Sequence, residues 1–278
     1  MIKRILTPLD VSPYTTAAVA RACALAELAE AEITGMVVLD TPGIEKSVQL
    51  PFRADLRDYS EEAIIECELE AAAKLQAVVK GFEKTLERSG LRSRLSKSEG
   101  RPSQQILAAS CFHDLLIMGL QSFYHFETKR GPGDTLDKVL KSAVIPVMAV
   151  PAREPDSIKS ALILFDGSPA SARALHVFAE LWPYERPAVR LLAADVSQDF
   201  GDNLLKEAAL FLQAHGVESV EQVVEGGGVI RAVEDHHLEW SDLIVLGVHS
   251  RHSVKDLIVG SVARHLIGHG HRTLLFSQ

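Results

Sequence analysis

Glycine and serine residues recur late in the chain at a spacing that suits the binding of a phosphate group. Two residues separate Gly247 from Ser250, and nine more separate Ser250 from the pair Gly260 and Ser261. This pair opens a segment with helical periodicity, and backbone N–H groups at the start of a helix carry a partial positive charge that attracts anions. The spacing therefore indicates a phosphate site. Glycines after strands and serines at helix starts are equally ordinary in turns and caps, so that alternative stays open.

An acidic residue upstream adds chemistry suited to a nucleoside. Asp166 follows the apolar run 161–165 and precedes Gly167, Ser168 and Pro169. A carboxylate at this position can accept a hydrogen bond from a ribose hydroxyl or a base amine. The apolar run predicts a strand, and the serine and proline predict the N-cap and the first residue of a helix.

The chain repeats these features in the same order. Residues 4–13 and 161–169 are both apolar runs that end in Asp-x-Ser-Pro, and the runs that end at Gly119 and Gly247 form a second matching pair. The first pair is offset by 156 residues and the second by 128, so the first copy contains 28 more residues, which we place after Asp40. The sequence therefore predicts a tandem duplication.

Each copy consists of strands that alternate with helices. This order predicts a parallel sheet with helices on both faces, because right-handed crossovers place them there. We predict two tandem Rossmann-like domains, each with a five-stranded, mainly parallel sheet: domain 1 at residues 1–152, a linker at 153–159 and domain 2 at 160–278. The extra residues of domain 1 should lead into a long helix at about residues 60–89. Ligands of such sheets bind beyond the carboxyl ends of the strands, where the acid and the glycines described above lie.

Composition argues against several classes of partner. A net charge of -8 disfavours nucleic-acid backbones and anionic membrane surfaces, both of which require clustered positive charge. No apolar run approaches the length of about 18 residues that a membrane helix needs. Cys23, Cys67 and Cys111 are too far apart for a cysteine metal site or a disulfide framework, which predicts a reducing, cytoplasmic location.

The combined spacing resembles that of one known family. The pattern Gly247-x2-Ser250-x9-Gly260-Ser261, with Asp166 upstream, is similar to the G-x2-G-x9-G-[S/T] pattern of the ATP-binding members of the universal stress protein family. The resemblance covers essentially the whole chain, twice, as in the tandem-domain members, and it implies an adenine nucleotide alpha hydrolase-like fold. The chain departs from the family at Ser250, which replaces the second glycine, narrows the loop and can still bond a phosphate oxygen.

The resemblance implies ATP as the ligand, with or without Mg²⁺. It also implies a stress-response protein that acts as a nucleotide-dependent regulator and hydrolyses ATP slowly at most, so no catalytic residue is predicted. Asp166 and Val196 would hold the adenosine, and the glycine-containing loop would hold the triphosphate. The nucleotide-binding residues implied in domain 2 are Phe165, Asp166, Val196, Leu246, Gly247, Ser250, Gly260, Ser261 and Val262.

The first copy matches the family pattern less well. Gly133 follows Ser122 after ten residues rather than nine, and Asp134 stands where the family has serine or threonine. A carboxylate at a helix N-terminus competes with a phosphate and repels it. We therefore expect domain 1 to bind nucleotide weakly or not at all. The residues that still match in domain 1 are Pro8, Asp10, Val38, Met118, Gly119, Ser122 and Gly133.

Three histidines near the C-terminal end have a spacing that is compatible with metal binding. His265, His269 and His271 have a ligand spacing that is compatible with a helix, and an i, i+4 pair of histidines can hold zinc. Histidines are equally ordinary at the C-terminal end of a helix, where they interact favourably with its dipole. We favour that second interpretation, so no metal is expected and zinc is the less favoured alternative.

The resemblance also implies how the two copies associate. Their fifth strands, near residues 144–150 and 272–276, should pair across the domains as an internal pseudo-dimer, and a homodimer of whole chains is left open. Two other functions stay open because fold alone does not fix function. One is an ATP-using enzyme of the same fold, and the other is a nucleotide-free interaction module that binds a small molecule or a metal.

Overall fold

The computed structural model describes residues 1–48, 57–124, 133–153, 157–248 and 259–277. Strands and helices alternate in domain 1, as the sequence predicts. Its elements are β1 (Arg4–Leu9), α1 (Pro13–Ala29), β2 (Glu32–Leu39), α2 (Thr41–Val48), α3 (Arg57–Ser89), β3 (Ser93–Glu99), α4 (Pro102–Ser110), β4 (Leu115–Gly119), α5 (Thr135–Leu140) and β5 (Val147–Val150).

Domain 2 repeats this order with a single helix between its second and third strands. Both first helices begin as predicted, with Ser12 or Ser168 at the N-cap and a proline as the first helical residue. The helix α8 continues into one π-helical turn. The elements of domain 2 are β6 (Ser160–Leu164), α6 (Pro169–Glu185), β7 (Ala188–Ala194), α7 (Gln198–Ala214), β8 (Val220–Glu225), α8 (Val229–Ala232), the π-helical turn (Val233–His237), β9 (Leu243–Gly247), α9 (Ser261–His269) and β10 (Thr273–Ser277).

The ten described strands form one open sheet in the order β3-β2-β1-β4-β5-β10-β9-β6-β7-β8. Strands within each domain are parallel to one another. The strands β5 and β10 pair antiparallel, with Met148 opposite Leu275, and this is the predicted pairing of the two fifth strands. The fold is therefore the predicted one, with two parallel units joined edge to edge. The exact domain boundaries at residues 152 and 160 stay a prediction.

The extra residues of domain 1 contribute to two helices. The long helix α3 begins at Arg57, slightly before its predicted start, and ends at Ser89 as predicted. The short helix α2, directly after Asp40, is not predicted by the sequence, because its first residues include proline and glycine, which favour turns. Neither α3 nor any other helix in the described ranges combines the length and the apolar character needed to cross a membrane.

The central strands are buried on both faces of the sheet. In β1 the neighbouring residues Ile5 and Leu6 are both fully buried, and they belong to separate clusters on opposite faces. Strands covered on both sides need continuous apolar sequence, which explains why the strands recognised in the sequence are uninterrupted apolar runs. The edge strands β3 and β8 are more polar and partly exposed.

His113 is buried between α4 and β2, and its contacts fix its neutral form. Its Nδ1 lies 2.8 Å from the carbonyl oxygen of Ala109, which can only accept, so Nδ1 carries the proton. Its Nε2, 2.9 Å from Oγ1 of Thr34, then accepts from that hydroxyl. Burial lowers the pKa of His113, although the hydrogen bond to Ala109 opposes this shift.

The lowered pKa of His113 predicts a pH-dependent stability. Below about pH 6.5 the unfolded chain binds a proton that the folded protein does not, so the free energy of unfolding falls as the pH drops through that value. We expect the free energy of unfolding to be lower at about pH 5.5 than at about pH 7.5. This loss should be larger in the wild type than in His113→Gln by up to about 1 kcal/mol. Urea titrations of both proteins at the two pH values measure this difference, and equal losses would contradict the prediction.

Candidate functional site

A cleft of about 430 Å³ opens in domain 2 beyond the carboxyl ends of β6, β7 and β9. In the sheet, β6 lies between β7, the next strand in the chain, and β9, the third strand after β6. The connections on the two sides therefore diverge, and parallel α/β sheets bind their ligands at such switch points. The cleft lies where the sequence predicts a ligand for domain 2.

Eight of the nine residues predicted for domain 2 line this cleft, and their role in binding stays a prediction. The ninth, Ser250, lies outside the described residues. The lining also contains residues that were not predicted, among them Ser171, Asp195 and Val229. The predicted residues in the lining are Phe165, Asp166, Val196, Leu246, Gly247, Gly260, Ser261 and Val262.

Two helix N-termini face the cleft. The helix α9 begins at Ser261 with Gly260 as its N-cap, and the N–H group of Gly260 donates to the carbonyl of Val248 at 2.8 Å, which holds α9 next to the end of β9. The first N–H groups of a helix have no partner within the helix and carry the positive end of its dipole. In α6, Oγ of Ser168 accepts from the N–H group of Ser171 at 3.2 Å. Because glycine has no side chain to cap α9, this helix is the better placed of the two to receive an anion.

Asp166 places a carboxylate at the edge of the cleft. The N–H group of Ser168 donates to its Oδ1 at 2.9 Å, which fixes the orientation of the carboxylate at the end of β6. Asp166 is partly exposed, so a ligand can reach it from the cleft. This arrangement can accept a hydrogen bond from a hydroxyl or an amine of a ligand.

Asp195 brings a second carboxylate into the lining, and the sequence did not single it out. Its backbone is left-handed, with φ of 60°, a conformation that costs most residues about 1 kcal/mol or more but that Asp tolerates better than most. It directly follows β7 and precedes the predicted Val196. The signal that could have found it is an acid directly after a strand, as at Asp166 and Asp10.

Gly247 has a packing role as well as a place in the lining. A Cβ atom at this position would lie 2.6 Å from Cβ of Ala170 and 2.9 Å from the backbone nitrogen of Ser171. Its counterpart Gly119 is similar, because a Cβ atom there would lie 2.4 Å from Cβ of Tyr14. Both glycines therefore let the first turn of α1 or α6 pack closely on the end of a strand, a reason that holds with or without a ligand.

The predicted acid of domain 1 is used within the protein. Oδ1 of Asp10 accepts hydrogen bonds from the N–H and hydroxyl groups of Ser12 and from the hydroxyl of Thr15, while Oδ2 accepts from the N–H group of Phe123 at 2.6 Å. Asp10 is only 4% exposed. In contrast to Asp166, its carboxylate is enclosed by residues of its own domain.

Tyr124, which follows β4, is buried in domain 1. It is 2% exposed and belongs to the same buried cluster as Val38 and Met118, two of the residues that the sequence assigned to nucleotide binding. Burial, reinforced by the charge of Asp10, raises the pKa of the Tyr124 phenol well above its usual value, so the hydroxyl stays protonated. Val38 and Met118 are themselves fully buried.

The remaining predicted residues of domain 1 lie apart from two clefts in the described part of this domain. Pro8 is buried within β1, and the N–H group of Gly133 donates to the carbonyl of Ser122 at 2.7 Å. Two clefts on the described surface of domain 1 measure about 550 and 640 Å³, and of the seven predicted residues only Asp10 lines either of them.

Two of the three predicted histidines lie together with an acidic residue. Nε2 of His265 and Nε2 of His269 are 2.7 and 2.9 Å from Oε1 of Glu234, which belongs to the π-helical turn. Among the described residues, His271 is not part of this group. Glu234 is distant in sequence from the histidines, and no pattern in the chain linked it to them.

Comparison with known proteins identifies relatives of the whole chain. The sequence model described as the universal stress protein family matches residues 1–151 and again residues 157–276. No curated protein matches the chain.

Solved structures share the fold at low sequence identity. A universal stress protein from Archaeoglobus fulgidus DSM 4304 aligns with a TM-score of 0.71 and 18% identity, covering 99% of this chain and 98% of that one. A functionally unknown protein from Pseudomonas aeruginosa PAO1 aligns with a TM-score of 0.62 and 14% identity, covering 99% and 92%. A universal stress protein in complex with cAMP aligns with 44% of this chain and 98% of its own, with a TM-score of 0.38 and 20% identity.

Proposed function

Because the chain belongs to the universal stress protein family, as a tandem pair of its domains, we propose that it binds adenine nucleotide, chiefly in domain 2. ATP is the proposed ligand. Its binding and release would change the surface around the cleft and so regulate a stress response. The volume of about 430 Å³ falls within the range of about 300 to 1,000 Å³ that is usual for small-molecule sites.

The lining provides a matching group for each part of the nucleotide. Apolar residues at the ends of the strands, such as Val196 and Leu246, suit the adenine ring. Asp166 suits a ribose hydroxyl or the base amine, and the start of α9 at Ser261 suits the phosphates. If Mg²⁺ accompanies the phosphates, Asp195 is a lining carboxylate that could contribute to holding it, since Mg²⁺ is usually bound by one or two carboxylates together with phosphate oxygens.

The contrast between the two domains is the observation that carries the proposal. The same fold occurs twice in one chain, yet the two acids differ. Asp166 is partly exposed in the lining of an open cleft, whereas Asp10 is 4% exposed and its carboxylate accepts hydrogen bonds from Ser12, Thr15 and Phe123. A common fold alone would give both domains the same site. The preserved opening in domain 2 favours a ligand there.

Titration of the full chain with ATP tests this proposal. We expect isothermal titration calorimetry to give a stoichiometry close to one ATP per chain, because Asp166 is accessible from the cleft of domain 2 whereas the carboxylate of Asp10 is bonded within domain 1. Two equivalents would contradict the assignment to domain 2, and no binding of ATP or cAMP would contradict nucleotide binding itself. Mass spectrometry of small molecules retained by the purified protein would then separate a different ligand from none.

Binding rather than turnover is the proposed role. Asp166 and Asp195 are the two carboxylates in the described lining of the cleft, and the first is already oriented by a backbone N–H group, as expected for ligand positioning. An ATP-using enzyme is the second candidate, since a general base could act from Asp195. ATP hydrolysis well above the protein-free rate, lost in Asp195→Asn, would favour the enzyme.

Location and association complete the proposal. We place the protein in the cytoplasm, which the thiol state of Cys23, Cys67 and Cys111, none of them in a disulfide, supports. A homodimer of whole chains stays a proposal as well, because β3 and β8 form the two edges of the described sheet and each has one unpaired side.

A further inference from the structure

A cluster of three metal-ligating side chains lies outside the proposed nucleotide cleft. Glu234, His265 and His269 each direct one ligand atom to a common point, and these atoms all lie within 4.8 Å of one another. The two imidazole rings are one helical turn apart on α9, with centroids separated by 4.5 Å. Their Nε2 atoms approach the same carboxylate oxygen, so three donors from two separate elements already converge.

We propose that Glu234, His265 and His269 form a zinc site on domain 2. Two imidazole nitrogens and one carboxylate oxygen are a ligand set that Zn²⁺ commonly accepts, and they do not suit Mg²⁺ or Ca²⁺, which prefer oxygen ligands. Ligand atoms around tetrahedral zinc lie about 3.3 Å apart, given bonds of about 2.0 Å. The present separations of 2.7 and 2.9 Å from Oε1 therefore need only a small expansion to admit the ion.

The change in protonation on binding is simple. Without metal, the Nε2–H groups of His265 and His269 donate to Oε1 of Glu234. With Zn²⁺, each ring moves its proton to Nδ1, so that the Nε2 lone pair faces the ion, and the ionised carboxylate supplies the negative charge. Water fills the fourth position. The side chains of His265 and His269 are 33% and 42% exposed, so ion and water have a path from solvent.

The local backbone is arranged to bring Glu234 to the histidines. Glu234 lies in the π-helical turn that follows α8, and such wide turns are rare and occur frequently at functional sites. In the same turn, His236 and His237 point the other way, and their ring nitrogens are each 2.9 Å from a carboxylate oxygen of Glu225. The turn therefore distributes its polar side chains between two neighbouring elements, and the one directed at α9 is an acid.

The zinc site would join two elements that also border the cleft. Val229 of α8 and the first residues of α9 line the cleft, whereas Glu234 lies further along the chain in the π-helical turn and His269 is the last residue of α9. A metal at the proposed position would fix α9 against the π-helical turn. The zinc site is nevertheless independent of nucleotide binding, because none of its three ligands lines the cleft.

Zinc titration of the untagged full chain, after removal of metal with a chelator, tests this proposal. Competition with a chromogenic chelator should show one tight zinc ion per chain. We expect His265→Ala, His269→Ala and Glu234→Gln each to weaken zinc binding by about tenfold or more, since each removes or neutralises a ligand. Replacement of zinc by Co²⁺ should give the visible absorption of a four-coordinate site in the wild type and not in the three ligand variants.

His271→Ala is the matched control, since it removes a nearby exposed histidine that is outside the described cluster. Its zinc affinity should stay within about twofold of the wild type, and the metal-free melting temperatures of all four variants should agree, which excludes misfolding as a cause. Failure of the wild type to bind zinc would overturn the proposal. So would an affinity that Glu234→Gln leaves unchanged, or one that His271→Ala lowers as much as His269→Ala does.

Discussion

Replacement of Ser261 by aspartate should weaken ATP binding by about 10- to 100-fold while leaving the protein folded. Ser261 is the first residue of α9 and lines the cleft. An acid in the first turn of a helix is favourable for the helix itself, because it faces the positive end of the dipole. The same charge next to the phosphates repels them, and since Ser261 is exposed, solvent screening limits the loss to about 1 to 3 kcal/mol. Calorimetric titration with ATP measures the change.

Two further variants separate the effect of charge from that of size and place. Ser261→Asn changes the side chain without adding charge and should bind ATP within about fivefold of the wild type. Ser219→Asp adds the same charge just before β8, at the opposite end of the strands from the cleft, and should leave binding unchanged. Equal affinity in Ser261→Asp and the wild type would show that the phosphates do not bind at the start of α9.

Domain 1 has a carboxylate at the start of the corresponding helix. Asp134 is the N-cap residue of α5, the place that Gly260 holds in α9, and its Oδ1 is 2.8 Å from Nζ of Lys138. The lysine offsets part of the negative charge, but the helix start already has a carboxylate next to it. Together with the internal hydrogen bonds of Asp10, this gives domain 1 two separate features that disfavour a nucleotide. If Ser261→Asp abolishes binding, the weak binding expected for domain 1 gains a direct physical explanation.

The fold follows from the sequence to a large extent because each step depends on local pattern. The central strands are continuous apolar runs, such as that ending at Gly119, since they are covered on both faces. The resemblance to the family implied the pairing of the fifth strands, and the structure shows that β5 and β10 pair antiparallel, as two related copies joined at one edge do. The helix α2 was missed for the opposite reason: its Pro42 and Gly43 favour turns locally, and its packing against α3 outweighs that preference.

The candidate site was predictable only where the chain itself fixes the position of a residue. Residues that end a strand, such as Asp166 and Gly247, are placed by the strand, and both line the cleft. The carboxylate of Asp195 depends on a left-handed backbone, which sequence pattern does not reveal. Tyr124 joins the buried cluster that contains Val38, and Glu234 lies next to His265 and His269, through contacts between segments that are distant in the sequence. Such tertiary contacts carry no periodic signal, so the structure was needed to find them.

Removal of the Arg21 side chain should destabilise the protein by about 3 to 5 kcal/mol, the cost of leaving a buried carboxylate without its partner. The guanidinium of Arg21 in α1 is 1% exposed, and its Nη1 lies 2.9 and 3.0 Å from the two carboxylate oxygens of Glu185, the last residue of α6. Oε2 of Glu185 also accepts from the N–H group of Ile158 at 2.8 Å, next to the start of β6. The pair thus joins the first helix of one domain to the first helix of the other, beside the contact between β5 and β10. Urea titration of Arg21→Ala measures the loss in the free energy of unfolding.

A double variant and a surface variant decide whether the cost comes from the unpaired buried charge. Arg21→Met with Glu185→Gln removes both charges and keeps an acceptor for the N–H group of Ile158, so it should recover most of the stability, because a neutral replacement of a buried ion pair is often tolerated. Arg173→Ala removes an exposed arginine from α6, the helix that contains Glu185, and should lower the free energy of unfolding by less than about 0.5 kcal/mol. A loss in Arg21→Ala no larger than that in Arg173→Ala would mean that the ion pair contributes little. In that case other contacts between the two domains, such as the strand pairing and the hydrogen bond from the N–H group of Ile2 to the hydroxyl of Tyr184, would hold them together.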